Sequence, residues 1–361
     1  MPAGMLIAAR LSVLNPGETA LSFQLACRRL LSLLAIALCT ASVHARAHCL
    51  TDCVPRIGIV SAFGAEADIL VEQTQHKRQV TINGNRFTIG QLRGNHVVIV
   101  LSGVSMINAT MVTQLMIDHF HVQRLIMSGI AGGVDPSRHV GDVVVPAAWA
   151  MPMEVYWNAD GQVPAACGAP GDVSCLGLKL ATDAGGTPLP DYRIPTPTGA
   201  VPSGWFMRQN FVMTSANAPQ GEFRFDYEAD PQMLQVARGI KPVLQRCGPK
   251  NPQLCVATQP QVVVGGRAVS GTAFLANAPY RSYLFDTLKA QAVDMETAAL
   301  GHVARANQVP YIAFRSLSDL AGGSDTQDVG AFFGSGLAEA NASAVTLAFL
   351  EAWKAQQGAK P

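Results

Sequence analysis

Tyr311-Ile312-Ala313-Phe314-Arg315-Ser316-Leu317-Ser318-Asp319 begins as a buried strand and finishes in groups that a hydrophobic core does not accommodate for free. Apolar, β-branched and aromatic residues give way to a guanidinium, two hydroxyls and a carboxylate. Upstream, Val293-Asp294-Met295-Glu296-Thr297-Ala298-Ala299 places two acids around a buried-looking methionine at what reads as a helix start. Ligands of open α/β sheets bind at the carboxyl ends of strands. The two stretches therefore predict an α/β fold whose working residues stand where strands stop.

Working outward, the same pattern repeats. Arg56 to Ala62 reads as a buried strand running into a helix start at Gly64 to Leu70, with Glu66 in its first turn. Val80 to Leu92 predicts a hairpin about Asn83-Gly84-Asn85. His96 to Leu101 ends in Ser102-Gly103 and turns into a helix through Asn108 to His119. Arg124 to Met127 ends in Ser128-Gly129-Ile130-Ala131-Gly132-Gly133, and Val140 to Pro146 is a further strand. Strands alternating with helices imply a largely parallel sheet covered on both faces. From 147 to 260 the pattern lapses into a Pro-, Gly- and Ala-rich stretch with one helix expected at Pro231 to Leu244. It reads as an insertion, because the strand pattern resumes at Val262-Val263-Val264 and ends with a helix from Gly336 to Trp353. Five strand ends (61–66, 102–104, 128–133, 270–274 and 315–319) carry glycines, hydroxyls or carboxylates, and at one sheet edge they would surround a single crevice.

The N-terminus stands apart. Arg28-Arg29, the apolar run Leu30 to Leu38 and the small-residue stretch Cys39 to Ala45 form the charged, hydrophobic and cleavage regions of a signal peptide. Residues 1–45 are expected to leave, with cleavage after Ala47 as the other option, and 46–361 to remain as one domain in the periplasm or outside the cell. The apolar run is short for a membrane span. Of the eight cysteines, Cys27 and Cys39 fall in the leader. The others lie as neighbours, Cys49/Cys53, Cys167/Cys175 and Cys247/Cys255, and an oxidising compartment favours disulfides between neighbours. A zinc site is the alternative, against which stand irregular spacings. Lysine and arginine number 26 and aspartate and glutamate 25, so no basic surface for nucleic acid is expected. No cofactor or metal motif is evident.

The segments Arg56 to Glu66, Ser128 to Gly133 with Val140 to Val145, Ser270-Gly271-Thr272-Ala273-Phe274, Asp294-Met295-Glu296 and Ser318-Asp319 resemble, in the same order, those of the 5′-methylthioadenosine/S-adenosylhomocysteine nucleosidases of the nucleoside phosphorylase/hydrolase superfamily. The insertion, with its Cys247…Cys255 pair, is similar to that of the secreted, plant bark-storage-like branch. The resemblance implies a three-layer fold with a mixed, twisted central sheet flanked by helices. It also implies a small-molecule nucleoside substrate, no cofactor, and hydrolysis of the bond between base and sugar. A homodimer is compatible with it.

By that resemblance Glu66 activates the attacking water and Arg315 lies near that water and the ribose. Met295 and Glu296 hold the sugar, and Phe274 stacks near the purine. Asp319, supported by Ser318, protonates the purine at N7, and Ile130, Ala131 and Gly132 contact the substrate. Each also has a plainer role open to it: Glu66 as a helix-start carboxylate, Asp319 as a turn cap, Met295 and Phe274 as core. The chain departs from the family at Thr272, where nucleosidases often carry an acid, and at Asp294, where glutamate is usual. A phosphorylase of the same fold and a non-catalytic binding or storage protein remain the rival readings. A phosphorylase needs a cationic anion site, and Glu66 occupies the region where it would lie.

Overall fold

The computed structural model describes residues 49–152, 155–157, 178–180, 204–206, 210–322 and 334–358. Twelve strands form its main sheet: β1 (Asp52–Ser61), β2 (Gln75–Ile82), β3 (Asn85–Leu92), β4 (Asn95–Leu101), β5 (Phe120–Gly133), β6 (Val143–Val145), β7 (Ala148–Ala150), β8 (Asp226–Glu228), β9 (Val262–Val264), β10 (Arg267–Ser270), β11 (Ala290–Asp294) and β12 (Tyr311–Asp319). The helices packed on it are α1 (Gly64–Gln73), α2 (Met106–His119), α3 (Pro231–Gly239), α4 (Ala278–Leu288), α5 (Thr297–Ala306) and α6 (Leu337–Gly358).

The sheet runs β8-β7-β10-β11-β5-β1-β4-β3-β2, with β12 beside β5 and β6, and β9 beside β6. It is mixed, as expected. β1 lies parallel to β4 and β5, and β12 parallel to β5, whereas β11 meets β5 antiparallel. Parallel strands covered on both faces need continuous apolar runs. Ile57, Ile59 and Val60 of β1, and Val97 to Val100 of β4, are all buried. Gly58 sits in that run because a Cβ there would stand 2.5 Å from Met116 Sδ, so its absence lets α2 approach the sheet. The β2–β3 hairpin turns at Asn83 and Gly84, both at positive φ, the pair of conformations that a two-residue hairpin turn demands.

Two cores lie on opposite faces. One joins α2 and α5 (Val112, Met116, Leu300, Val303) to Val60, Val100, Leu125 and Met127, with Trp149 and Tyr227 sealing its end. The other joins α1, α3 and α6 (Leu70, Met233, Phe349, Leu350, Trp353) to Ile59, Ile99, Ile126 and Phe314. Burying one such aliphatic or aromatic side chain contributes about 1.5–3 kcal/mol, so these two layers carry the fold. The last helix is less amphipathic than its sequence reads. Residues 337 to 343 are buried all round, because Asn341 bridges the Gly141 and Gln245 carbonyls while Val140, Val256 and Leu337 cluster beside it.

β5 organises the molecule. Its middle pairs with β1 and β12, but its last two residues pair with β11 through Gly132↔Val293 and Gly133↔Ala292. The carboxyl ends of β10 and β11 thus arrive from the opposite direction to those of β1, β4, β5 and β12. The five strand ends do converge, but at a seam between two half-sheets rather than along one edge.

Other boundaries move. β12 continues through Asp319 with every residue buried, so Arg315 and Ser316 are inside the strand and not beyond it. Asp294 ends β11, and α5 starts only at Thr297. The helix expected at Pro231 to Leu244 stops at Gly239. The insertion is narrower than 147–260, since β7, β8 and α3 belong to the main sheet and its cover. What leaves the sheet between β7 and β8 includes a three-stranded unit (Val155–Trp157, Gly204–Phe206, Leu178–Leu180) and a hairpin (Asn210–Val212 with Glu222–Arg224). Cys49–Cys53 and Cys247–Cys255 are disulfides, the latter closing the hairpin of Cys247–Gly248 with Asn251–Cys255. Cys167, Cys175 and the whole of residues 1–45 lie outside the described residues. Among those described, no helix is long and apolar enough to cross a membrane.

Candidate active site

A cavity of about 180 Å³ opens at the β5 seam. Nine of the ten candidate residues line it: Glu66, Ile130, Ala131, Gly132, Phe274, Met295, Glu296, Ser318 and Asp319. Arg315 does not. It is fully buried behind the wall, and its guanidinium pairs with carboxylates that face the cavity. Met295 is half-buried and not core, and Phe274 stands 63 % exposed at the rim.

Arg315 is the hub of one half of the site. Its Nε donates to Asp294 Oδ2 at 2.7 Å, its Nη2 to Glu296 Oε2 at 2.9 Å, and its Nη1 reaches Glu66 Oε1 at 3.5 Å. One fork-shaped cation can address three acids from three directions, which a lysine cannot. Asp294 is held further by Ser270 Oγ at 2.5 Å, by the Thr297 hydroxyl, and by the Glu296 and Thr297 amides at 3.2 Å. It is the anchor of the cluster, and its substitution for glutamate shortens the arm that meets Arg315. Glu296 Oε1 accepts the Ser105 amide at 2.9 Å. Ser105 achieves this at φ 90° and ψ 154°, a backbone region normally left to glycine.

Glu66 occupies the third residue of α1, and its carboxylate turns back to the N–H groups of Ala62 at 2.5 Å and Phe63 at 3.3 Å. The helix-start reading is thus geometrically correct, but the residue is 1 % exposed and not solvated. Its other oxygen accepts the Ile130 amide at 2.8 Å. Burial pushes the Glu66 carboxyl up to about 7, against the opposing pull of Arg315 and the Ile130 and Ala62 amides. Burial also raises Glu296, with Arg315 opposing. Gly129 makes the meeting of Glu66 and Arg315 feasible: a Cβ there would stand 2.3 Å from Glu66 Oε1 and 2.4 Å from Arg315 Nη1.

Asp319 forms the other half. Oδ2 accepts the Ser318 hydroxyl at 2.8 Å and Oδ1 the Ala321 amide at 2.7 Å. Burial raises its carboxyl above the usual range, the two hydrogen bonds opposing. The cavity therefore holds buried acids whose environments favour the protonated form, on two sides of one space. That is the arrangement required for delivering a proton on one side and removing one on the other.

The strand-end hydroxyls have a plainer role than their positions promised. Ser61 donates to the Ser128 carbonyl, Ser128 pairs with Thr346, and Ser316 donates to the Gly141 carbonyl. They pin strands and α6 together. Ala62, Phe63, Val104 and Ala273 fall within the marked strand ends, Val293 opens the quoted stretch 293–299 and Leu275 follows Phe274; all line the cavity, though none was assigned a role of its own. They are apolar, so only their place in or beside the marked strand ends could have flagged them. Thr272 is exposed and outside the lining.

Comparison with known proteins bears on the family and the fold. A 5′-methylthioadenosine/S-adenosylhomocysteine nucleosidase of Bacillus thuringiensis (strain Al Hakam) is 25% identical over 269 residues, covering 74% of this chain and 87% of that protein. The structure of such a nucleosidase from Colwellia psychrerythraea 34H, in complex with adenine, aligns with a TM-score of 0.56 at 22% identity, over 84% of this chain and 97% of that one. Futalosine hydrolase of Helicobacter pylori aligns with a TM-score of 0.53 at 19% identity, over 86% and 99%. The solved structures share the fold. Residues 56–351 match the family model of the phosphorylase superfamily, and the chain belongs to that superfamily.

Proposed function

We propose that the protein is an exported hydrolase that cleaves the N-glycosidic bond of a purine nucleoside or 5′-thio-nucleoside to free base and sugar. The observation that carries this reading is the charge of the cavity wall. Glu66, Asp294, Glu296 and Asp319 line it, and no lysine or arginine does among the described residues. A phosphate nucleophile would find no cationic side chain in that lining to hold it, whereas water needs none and carboxylates favour a cation-like sugar.

In this reading Glu66 takes a proton from water as the water oxygen bonds to C1′. The C1′–N9 pair of electrons leaves with the base, and Asp319 gives its proton to N7. The contacts of Glu66 at 3.3 and 3.5 Å are the long ones, leaving lone pairs for which a water can compete. Glu296 accepts from sugar hydroxyls, Met295 packs beneath the ring, and Phe274 covers the base. Arg315 positions the acids. Adenine, present in the complex of the Colwellia relative, is the first base to test.

Export rests on the leader at residues 1–45. Self-association is supported by Val104, Ile107 and Met111, exposed along one stripe at α2, and light scattering that returns a monomer mass would remove it. The deciding experiment is a nucleoside panel with and without phosphate, separating free base, ribose and ribose-1-phosphate. Phosphate-independent release of base and ribose is expected. Strict phosphate dependence would transfer the protein to the phosphorylases, and binding without cleavage to the non-catalytic reading.

A further inference from the structure

The loop 271–277 supplies Ala273, Phe274 and Leu275 to the cavity wall. It is strung between the two halves of the site. At its start, Gly271 donates to the Asp294 carbonyl at 3.0 Å, next to the Ser270 hydroxyl that holds the Asp294 carboxylate. At its end, Asn277 donates its amide to the Ala321 carbonyl at 3.0 Å, while its side chain caps α4 through the Tyr280 amide at 2.9 Å. Ala321 is the residue whose own amide holds Asp319 Oδ1. It is fully buried at φ 52°, a left-handed conformation unusual for alanine. Gly322 follows at φ 86°, where a Cβ would stand 2.2 Å from the Asn277 nitrogen and 2.4 Å from the Ala276 carbonyl carbon. Backbone lies against backbone here, and neither side can give way as a flexible side chain would.

We propose that the Ala321–Gly322 turn is a positioning device for the general acid: it aims the amide that orients Asp319 and, through the same residue's carbonyl, sets where the Ala273–Leu275 wall stands. The proposal rests on the nucleoside-hydrolase reading for its kinetic test but not for its structural one. A hydrogen bond to an ionised carboxylate is stronger than one to its neutral form. The two ends of the Ala321 linkage therefore influence each other: ionising Asp319 tightens the loop's anchor, and displacing the loop frees Asp319 from a donor that favours its charged state. Among the described residues, other charges around Asp319 are few. Glu66, Asp294 and Glu296 line the same cavity, and Arg281 on α4 is engaged with the Gly133 carbonyl. Tyr280 and Tyr283, behind the turn, are pushed far up by burial and stay neutral. Asp319 itself is set by burial and its two hydrogen bonds.

The test is Gly322→Ala, with Asn277→Ala as the gentler variant that loosens the loop's anchor by removing the α4 cap without adding bulk. The expected result for Gly322→Ala is an upward shift of about one unit in the basic limb of the kcat profile, because a donor to the ionised form is lost. The carboxyl-¹³C titration of Asp319 should shift equally. Asn277→Ala should shift both in the same direction by a few tenths. Phe274→Ala, which removes the ring and leaves the turn, should raise KM without moving either. Conversely, Asp319→Asn should speed hydrogen exchange of the Ala321 and Asn277 amides roughly three- to tenfold. If both variants fold, by circular dichroism, and neither the kinetic limb nor the ¹³C titration moves, the proposal is overturned. If Gly322→Ala does not fold, an unmoved Asn277→Ala titration overturns it alone. If the wild-type protein cleaves no nucleoside, the hydrolase reading fails, and the ¹³C titration with the exchange measurement still decides the turn.

Discussion

Replacing Arg315 by methionine keeps an unbranched stem of similar reach and removes the charge, leaving Glu66, Asp294 and Glu296 around a space where their common partner stood. All four side chains are at most 5 % exposed, so water cannot take over. Breaking a buried ion pair by deleting one partner typically costs about 3–5 kcal/mol, and that is the loss expected at pH 8. The pH dependence carries the sharper test. Glu66 is held up to about 7 in the fold against 4.5 when unperturbed. An acid raised in this way leaves stability intact below its unfolded pKa and erodes it as pH climbs through the folded one, here by on the order of 3 kcal/mol. Without Arg315, Glu66 and Glu296 rise further, so the variant erodes more steeply across the same window. At pH 5 Glu66 is protonated in either protein, and its share of the difference vanishes. Urea unfolding at pH 5, 6, 7 and 8 should show the gap between wild type and Arg315→Met widening with pH by at least about 1 kcal/mol. A gap of constant size, or one below about 1 kcal/mol at pH 8, would refute the view that one cation balances these acids.

Asp319→Asn should lower kcat on ordinary purine nucleosides by about 10²–10⁴-fold with the fold retained, and by less on substrates with activated leaving groups; near-wild-type turnover would remove Asp319 as the acid. Glu66→Gln should bind nucleoside with little change and lose turnover on the same scale, checked by calorimetry beside product assays. Gly129→Ala forces a methyl group against Glu66 and Arg315, so a loss of about 1–3 kcal/mol in stability together with activity is expected, measured by thermal unfolding and kcat. N-terminal sequencing of exported protein should begin near Arg46, and an intact Met1 on cytoplasmic protein would contradict export.

What was legible in the sequence was periodic or punctuated. β1, β4 and β5 show as apolar runs ending in Ser or Gly, and the β2–β3 turn as Asn-Gly, because local sterics write these directly into residue type. Glu66, Glu296 and Asp319 were legible because a carboxylate at a strand end or strand–helix turn has few structural uses. The antiparallel entry of β11 was not, since strand direction depends on pairing between residues far apart, such as Gly132 and Val293. The partners of Arg315 were not legible for the same reason. Its position in β12 says only that it points to one face, and the three acids that claim it come from β11, α1 and the turn before α5. Ser61, Ser128 and Ser316 looked like ligand groups, yet their partners are the Ser128 and Gly141 carbonyls and the Thr346 hydroxyl on α6, which sequence spacing does not encode.

The pairing of Ala150 with Asp226 has a consequence for engineering. The chain leaves the sheet after one and returns at the other, and these two residues are cross-strand neighbours. The chain between 151 and 225 therefore leaves and rejoins the sheet at a doorway about 5 Å wide. Loop length weighs little once its ends are fixed, about 0.6 kcal/mol per doubling, so the doorway is a cloning site in physical form. An Asn-Gly turn in place of 151–225 should leave β7 and β8 paired, and a foreign domain with adjacent termini should be tolerated there. The superfamily scaffold can in this way carry a cargo without any strand of the sheet having to change register.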